Sequence, residues 1–320
     1  MSTLITIAIP TYNRLNYLKE AVASALAQTY PHIEVIIGQD PTPNGLDQSI
    51  QVWSQMCVSQ NSKVRYQFNS HNLGLAGNWN ALADAAKGEY LIIIGDDDRL
   101  LPNFVETLMS VANSDTLVIF SNHYIINSQG KRLEQKSYEW TERYHRDLIP
   151  NGKVIEPEKW VWQNSIPMSA SLIRTKDVQR LRFKEDLNTP EIEFFIRLSF
   201  EEGDFLFVPQ YLSEYRIHEQ SATTLGLRTE SLVNYLLPIS VKSKVEPYKQ
   251  ELLSQLMVNA VSRSLLKNQH KQARDLFCSE YYPEYQRKRV NGLVQNFCTL
   301  LPKVIGCQIY RLIHRLKTAL

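Results

Sequence analysis

The stretch Tyr90-Leu91-Ile92-Ile93-Ile94-Gly95-Asp96-Asp97-Asp98 decides how this chain reads. An apolar run rich in β-branched residues marks a buried strand, and this one delivers three adjacent carboxylates into a loop. Like charges this close raise one another's proton affinity unless a cation sits among them. Carboxylate oxygens suit Mg²⁺ or Mn²⁺, typically held by one or two carboxylates together with the phosphates of a substrate. The competing reading is a solvated acidic turn balanced by Arg99.

Working outward, Leu4 to Ile9 forms a short β-branched strand that Pro10 is expected to stop, followed by a helix from about Leu15 to Gln28. Ile33 to Gly38 reads as a second strand, running into Gln39-Asp40 and a Pro/Gly-rich loop. A helix near 46–59, a third strand at Val64–Phe68 and a helix over 78–87 lead back to Gly88 and the strand that ends at Asp96. Strands alternating with helices of this length predict βαβ units, hence an α/β fold with a mostly parallel central sheet flanked by helices. Ligands of such sheets bind outside the carboxyl ends of the strands. Thr11-Tyr12-Asn13-Arg14, Asp40 and Asp96 to Asp98 are therefore expected to meet at one crevice. An aromatic ring and a cation in the first loop suit a nucleobase and a phosphate.

The chain has 320 residues, 43% apolar and 21% charged, an ordinary globular balance with room for one large domain and an appendage. A net charge of +2 does not mark a nucleic-acid binder. No apolar run approaches the ~20 residues of a membrane span. The opening residues read as a strand rather than a signal peptide, which makes the expected location cytoplasmic. Four cysteines without metal-like spacing read as free thiols.

Pro10-Thr11-Tyr12-Asn13-Arg14, Asp40, Asn72-Leu73-Gly74 and Gly88-Glu89-Tyr90 leading to the aspartate cluster resemble, in order and spacing, the family 2 glycosyltransferases, nucleotide-sugar-dependent enzymes of the GT-A fold. The resemblance covers roughly residues 3–220. It implies a GT-A catalytic domain over 1–225, with a nucleotide-sugar part to about 100 and an acceptor part from 101, followed by a helical region over 226–320. It also implies nucleotide-sugar contacts from Pro10, Thr11, Tyr12, Arg14, Asp40, Asn72, Asp96 and Asp97, and a metal bound by Asp98 or Asp97. Two departures stand out. The second strand ends Gln39-Asp40 where the family commonly has two acidic residues, and Gly95 stands where the metal motif's leading aspartate is common.

An acceptor hydroxyl must lose its proton as it attacks the sugar, and a carboxylate is the usual base. In Asn188-Thr189-Pro190-Glu191-Ile192-Glu193-Phe194-Phe195-Ile196-Arg197-Leu198, Thr189 reads as an N-cap and Pro190 as the first helical residue. The segment is similar to the family's Glu-Asp-x-Asp-Leu-Trp-Leu-Arg-Leu element. The match puts the inverting base on Glu191, with Glu193 as its competitor. After a strand at Phe205–Val208, Tyr215-Arg216-Ile217-His218 resembles the family's Tyr-Arg-x-His element, which implies phosphate contact for Arg216 and a metal or phosphate contact for His218. Trp160 and Trp162 precede a strand at Ser171–Ile173 and read as packing residues.

From about Glu230 the pattern turns helical. After Glu284 there is no acidic residue, while Arg287, Lys288, Arg289, Lys303, Arg311, Arg315 and Lys317 follow. The last stretch puts Val304, Ile305, Ile309, Leu312, Ile313 and Leu316 on one face. A basic amphipathic helix fits an anionic membrane surface. A helix docked on the catalytic domain or a homodimer contact is the alternative. The leading expectation is a metal-dependent, inverting glycosyltransferase. It takes Mn²⁺ or Mg²⁺ and a nucleotide-sugar, UDP-linked by analogy, and acts on a saccharide or lipid-linked acceptor in surface polysaccharide synthesis. A nucleotidyltransferase and an inactive sugar-nucleotide binding module are the other readings.

Overall fold

The computed structural model describes residues 3–219 and 228–318, and the chain divides into two compact units, Met1–Leu225 and Gly226–Leu320. In the first, β1 (Ile5–Thr11), β2 (Ile33–Gln39), β3 (Val64–Phe68) and β4 (Tyr90–Ile93) lie parallel. Their connections carry α1 (Leu15–Leu26), α2 (Gln48–Gln60) and α3 (Gly74–Ala85). Further along come β5 (Arg99–Leu100), α4 (Phe104–Met109), β6 (Thr116–Ile126), α5 (Glu134–Arg143), β7 (Gly152–Lys153), α6 (Pro157–Trp162), β8 (Ser171–Arg174), α7 (Thr175–Leu181), α8 (Pro190–Leu198) and β9 (Asp204–Arg216).

The sheet runs β3-β2-β1-β4-β8-β6-β9-β5, with β7 paired to an earlier stretch of β9 than β5. β8 is antiparallel to both β4 and β6, and β9 is parallel to β6. The carboxyl ends of β1, β2, β4, β6 and β9 therefore open on one rim. Alternate residues of the central strands, Ile5, Ile7 and Ile9 with Ile92 and Ile94, join Leu18, Val22 and Ala25 of α1 in a continuous apolar core. Trp160 and Trp162 are buried, as packing residues are.

Three expectations need correction. Pro10 does not stop β1 but lies inside it, opposite Gly38. Neighbouring residues of a parallel strand address opposite partners. Ala8 accepts from Ile94 on the β4 side and Thr11 from Asp40 on the β2 side. Pro10 therefore faces β4 one step past the last β1–β4 pair, where no donor is required. The fourth strand ends at Ile93 rather than Asp96, since Asp98 N–H closes a turn on the Gly95 carbonyl. The helix expected over 78–87 is α3 and starts earlier, at Gly74, whose φ of +71° starts the helix from the left-handed region.

The second unit is helical: α9 (Thr229–Leu236), α10 (Glu246–Leu266), α11 (His270–Cys278), α12 (Glu284–Arg287), α13 (Val290–Leu300) and α14 (Lys303–Thr318). The long α10 is its centre, burying Leu253, Met257, Ala260, Val261 and Leu265 against α9, α11, α13 and α14. Cys298 and Cys307 are buried free thiols. Among the described residues no helix is long and apolar enough to cross a membrane.

Candidate active site

The aspartates do not splay into solvent: Asp96 is 1% and Asp98 4% exposed. Thr11, at the end of β1, donates its hydroxyl to Asp96 Oδ2 at 2.7 Å. Arg14, the residue before α1, reaches back with Nη2 to Asp96 Oδ1 and Nη1 to Asp97 Oδ2, both at 2.5 Å. His218 Nε2 lies 2.9 Å from the same Asp97 oxygen and 3.3 Å from Arg14 Nη1. Asp98 turns its Oδ1 to the Arg216 backbone N–H at 2.9 Å. The first loop and the turn after β4 thus meet, as the sequence predicts, and the end of β9 joins them, whereas the Asp40 side chain bonds Asn69 and the Leu73 N–H instead. Arg99, the expected counter-charge of the acidic turn, looks elsewhere, to Glu214 and Glu20.

Gly95 explains the departure from the common metal motif. A Cβ at position 95 would stand 2.5 Å from Asp97 Oδ1 and 3.2 Å from Asp98 Oδ2. The two carboxylates occupy the space that a leading aspartate would need. Burial drives the Asp96 carboxyl up to about 6 against the pull of Arg14, and Asp98 is raised well above the usual range by burial and by Asp97. Burial opposes the Arg14 charge, but the surrounding aspartates outweigh it and hold its pKa up.

Arg216, expected at a phosphate, has protein partners. Its guanidinium is fully buried and committed: Nε to the Asp97 carbonyl (2.7 Å), Nη1 to the Asn127 and Ser128 carbonyls (3.3 and 3.2 Å), and Nη2 to Glu20 Oε2 (2.6 Å). It also lies over the Tyr17 ring, 4.6 Å from its centroid. Each guanidinium nitrogen already has a partner, and through them Arg216 ties the aspartate turn to α1 and the loop after β6. Tyr17 and Glu20, which the sequence reading passed over, are its partners. Tyr17 packs against His218 as well, with ring centroids 5.3 Å apart.

Just past β2, buried Asp40 spends Oδ1 on Asn69 Nδ2 (2.8 Å) and the Leu73 N–H (3.2 Å). Asn72 donates to the Pro41 carbonyl and accepts from the Gly74 N–H, bridging that loop to the start of α3. Gln39 is buried between Tyr66 and Asp47, an uncharged substitute that closes the core rather than the crevice. Tyr12 is half-buried in the first loop.

Pro190 is the first residue of α8, as expected, while Thr189 stands at the N-cap without making a side-chain cap bond. The segment before the helix is stitched to α3, where Asn80 exchanges hydrogen bonds with the Phe183 backbone and donates to Glu185. Of the two candidate bases, Glu193 is consumed by Arg197, which donates Nε and Nη2 to its two oxygens at 2.5 and 2.7 Å. Glu191 in the first turn is partly buried, and burial lifts its carboxyl to about 7 although its own backbone N–H pulls it back. A carboxylate near neutrality is suited to accept a proton.

Among the described residues no three His, Cys, Asp or Glu side chains gather on one point, so the expected trio Asp97, Asp98 and His218 is not a ready-made cage. The reason is visible in Asp98, whose Oδ1 is taken by the backbone of Arg216. The donors nevertheless fit a hard divalent ion that draws remaining ligands from a phosphate. Asp96 Oδ1 is buried with the Arg14 guanidinium, 2.5 Å away, as its counter-charge, a place a cation could take.

A mixed sheet with an acidic turn at the end of its fourth strand defines the GT-A class of fold, and solved structures agree. The *Staphylococcus aureus* TarS fragment 1–349 in complex with UDP-GlcNAc superposes with a TM-score of 0.64 at 13% identity, over 92% of this chain and 90% of that one. A mannosyltransferase from *Pyrobaculum calidifontis*, in complex with GDP-Man and Mn²⁺, gives 0.58 at 11% identity, over 98% and 88%. The glycosyl transferase family 2 model matches residues 6–166, and the chain belongs to that family. The chain is 25% identical over 280 residues to a GalNAc(5)-diNAcBac-PP-undecaprenol beta-1,3-glucosyltransferase of *Campylobacter jejuni*, covering 82% of this chain and 84% of that protein. It spans only 21% of a 31% identical *Rickettsia bellii* glycosyltransferase.

Proposed function

We propose that this chain transfers a sugar, with inversion, from a nucleotide-sugar to a saccharide or lipid-linked saccharide acceptor in surface polysaccharide synthesis. The observation that carries the proposal is the rim itself: Thr11, Arg14 and His218 close around Asp96 and Asp97 at the carboxyl edge of the sheet. The *C. jejuni* relative, named for a polyprenyl-diphosphate-linked acceptor, supports the acceptor class. UDP is the favoured nucleotide by analogy with the TarS complex.

In this reading residues 1–100 hold the donor and 101–225 the acceptor. Tyr12 and Asp40 face the nucleoside, and Pro10 and Asn72 shape the loops around it. Asp97, with His218 beside it and Asp98 behind, would hold Mn²⁺ or Mg²⁺, which when bound supplies positive charge for the departing diphosphate. Arg14 neutralises the aspartates in the free protein and turns to phosphate oxygens when the donor arrives. Glu191 takes the proton of the acceptor hydroxyl, poised for that by the burial of its carboxyl. A nucleotidyltransferase would need a Gly-rich basic phosphate loop after β1, where this chain has Pro-Thr-Tyr-Asn-Arg.

Thermal shift against UDP-, GDP-, dTDP- and CMP-sugars, with and without Mn²⁺, tests the reading together with transfer to a polyprenyl-diphosphate-linked saccharide. One nucleotide-sugar is expected to stabilise the protein, more so with Mn²⁺, and Asp97→Asn and Asp98→Asn to remove the Mn²⁺-dependent part. Binding without transfer or donor hydrolysis, under any of these donors, overturns it.

A further inference from the structure

Helix α13 is built inside out. Its inward face carries Gly292, Gln295, Cys298 and Thr299, all buried. Gln295 is 0% exposed, donating Nε2 to the Val258 carbonyl (2.8 Å) and Ser262 Oγ (2.7 Å) and accepting from the Tyr282 hydroxyl (2.7 Å). The outward face carries Val290, Leu293, Phe297 and Leu300, exposed by 79, 56, 56 and 64%. Their spacing of three, four and three residues draws one stripe along the helix.

The next helix repeats the arrangement. In α14 the buried residues are Gly306, Cys307 and Tyr310, while Val304, Ile305, Leu312, Ile313 and Leu316 are exposed. Gly306 packs so tightly on α13 that a Cβ there would stand 2.1 Å from the Cys298 carbonyl oxygen, which locks these faces inward. The apolar face that the sequence predicts for the last helix is therefore an outer one. Ile309 alone is half-buried, and the side chain of Lys317 lies outside the described residues.

Scattered apolar surface residues are ordinary, but two consecutive stripes with polar residues turned inward are not. The charge around them selects the medium that covers them. Lys288 and Arg289 stand exposed at the start of α13 and Lys303 at the start of α14, and no acidic residue follows Glu284. A second copy of this surface would set like charges against like. An anionic lipid bilayer supplies both an apolar phase and the opposite charge.

We propose that α13 and α14 lie in the headgroup region of an anionic membrane, with Leu293 and Phe297 inserted and Lys288, Arg289 and Lys303 at the phosphates. The inference rests on helix surfaces in the second unit and not on the transferase reading. Flotation of the full chain with phosphatidylcholine vesicles, with and without phosphatidylglycerol, tests it. The wild type is expected to float with the anionic vesicles and less so as salt rises. Leu293→Glu/Phe297→Glu should weaken binding more than about tenfold, the weight of two large side chains withheld from an apolar phase. Lys288→Gln/Arg289→Gln should weaken it only on anionic vesicles. Unchanged far-UV circular dichroism and an unchanged Tm would certify that these variants are folded.

Absence of flotation by the wild type overturns the proposal, as does equal flotation of the Leu293/Phe297 variant. A concentration-dependent dimer that this variant dissolves also overturns it, in favour of a second copy.

Discussion

The rim of the sheet and the outer face of α13 both reverse the usual partition of polar and apolar groups. The rim buries charge, whereas α13 exposes hydrocarbon. At the rim the reversal is answered from within: Thr11, Arg14, His218 and the Arg216 backbone meet the three aspartates. On α13 only the inward half is answered, by hydrogen bonds to Gln295. The outward stripe has no counterpart among the described residues. A reversal balanced internally can wait for a ligand, while one left unbalanced points to a medium outside.

The comparison breaks if rim and stripe substitutions act alike. The largest contrast is expected in turnover. Glu191→Gln should lower kcat by about 10²- to 10⁴-fold, the usual weight of a general base, with donor KM unchanged. Leu293→Glu/Phe297→Glu should leave turnover of a water-soluble acceptor within about twofold, since surface substitutions rarely disturb a distant fold. Steady-state kinetics with a detergent-free acceptor decides this, and a Glu191→Gln enzyme of normal rate removes the base assignment.

The next effect is in pH. Because the folded pKa of Glu191 is raised from 4.5 to about 7, its base form is lost as pH falls through 7. The rate constant kcat/KM should then drop about tenfold per pH unit below that point. The same shift has an opposite stability sign. The charged carboxylate burdens the fold above pH 7 and not below its unfolded value, so Glu191→Gln should raise Tm at pH 8 and leave it unchanged at pH 4.

Smaller still is the stability contrast at the rim. Arg216→Met leaves three carbonyls without their donor and Glu20 with only its longer contact to Arg99, and should cost about 3 kcal/mol by denaturant titration. Arg14→Ala should cost less, and Mn²⁺ should restore much of it by taking over the aspartates. Equal losses from both would erase the distinction between a fixed and a movable arginine. The smallest effect is expected from Gly95→Ala. Its Cβ forces Asp97 aside, costing about 1–3 kcal/mol and weakening Mn²⁺-dependent stabilisation by the donor.

The alternation of strands and helices was legible because its periods are local, and so was the meeting of Thr11, Arg14 and Asp96 at strand ends. Pro10 was misread because the need for an N–H depends on which neighbour a residue faces, which only pairing reveals. The protein contacts of Arg216 were not legible because its partner Glu20 lies 196 residues away. The choice between Glu191 and Glu193 was within reach, since Glu193 and Arg197 stand four apart on one helix. The spacing of Val290, Leu293, Phe297 and Leu300 draws a stripe without telling which side of the helix meets water.

Pro10 carries one further consequence. Strand order places β1 and β4 side by side at the point where the sheet changes direction, and their pairing ends at Ala8 and Ile93. Beyond it, a ring nitrogen incapable of bonding keeps the two backbones from zipping further. Past that point side chains, Thr11 and Arg14 on the aspartates, join the two strands, and a guest can displace a side chain more readily than it could a backbone ladder.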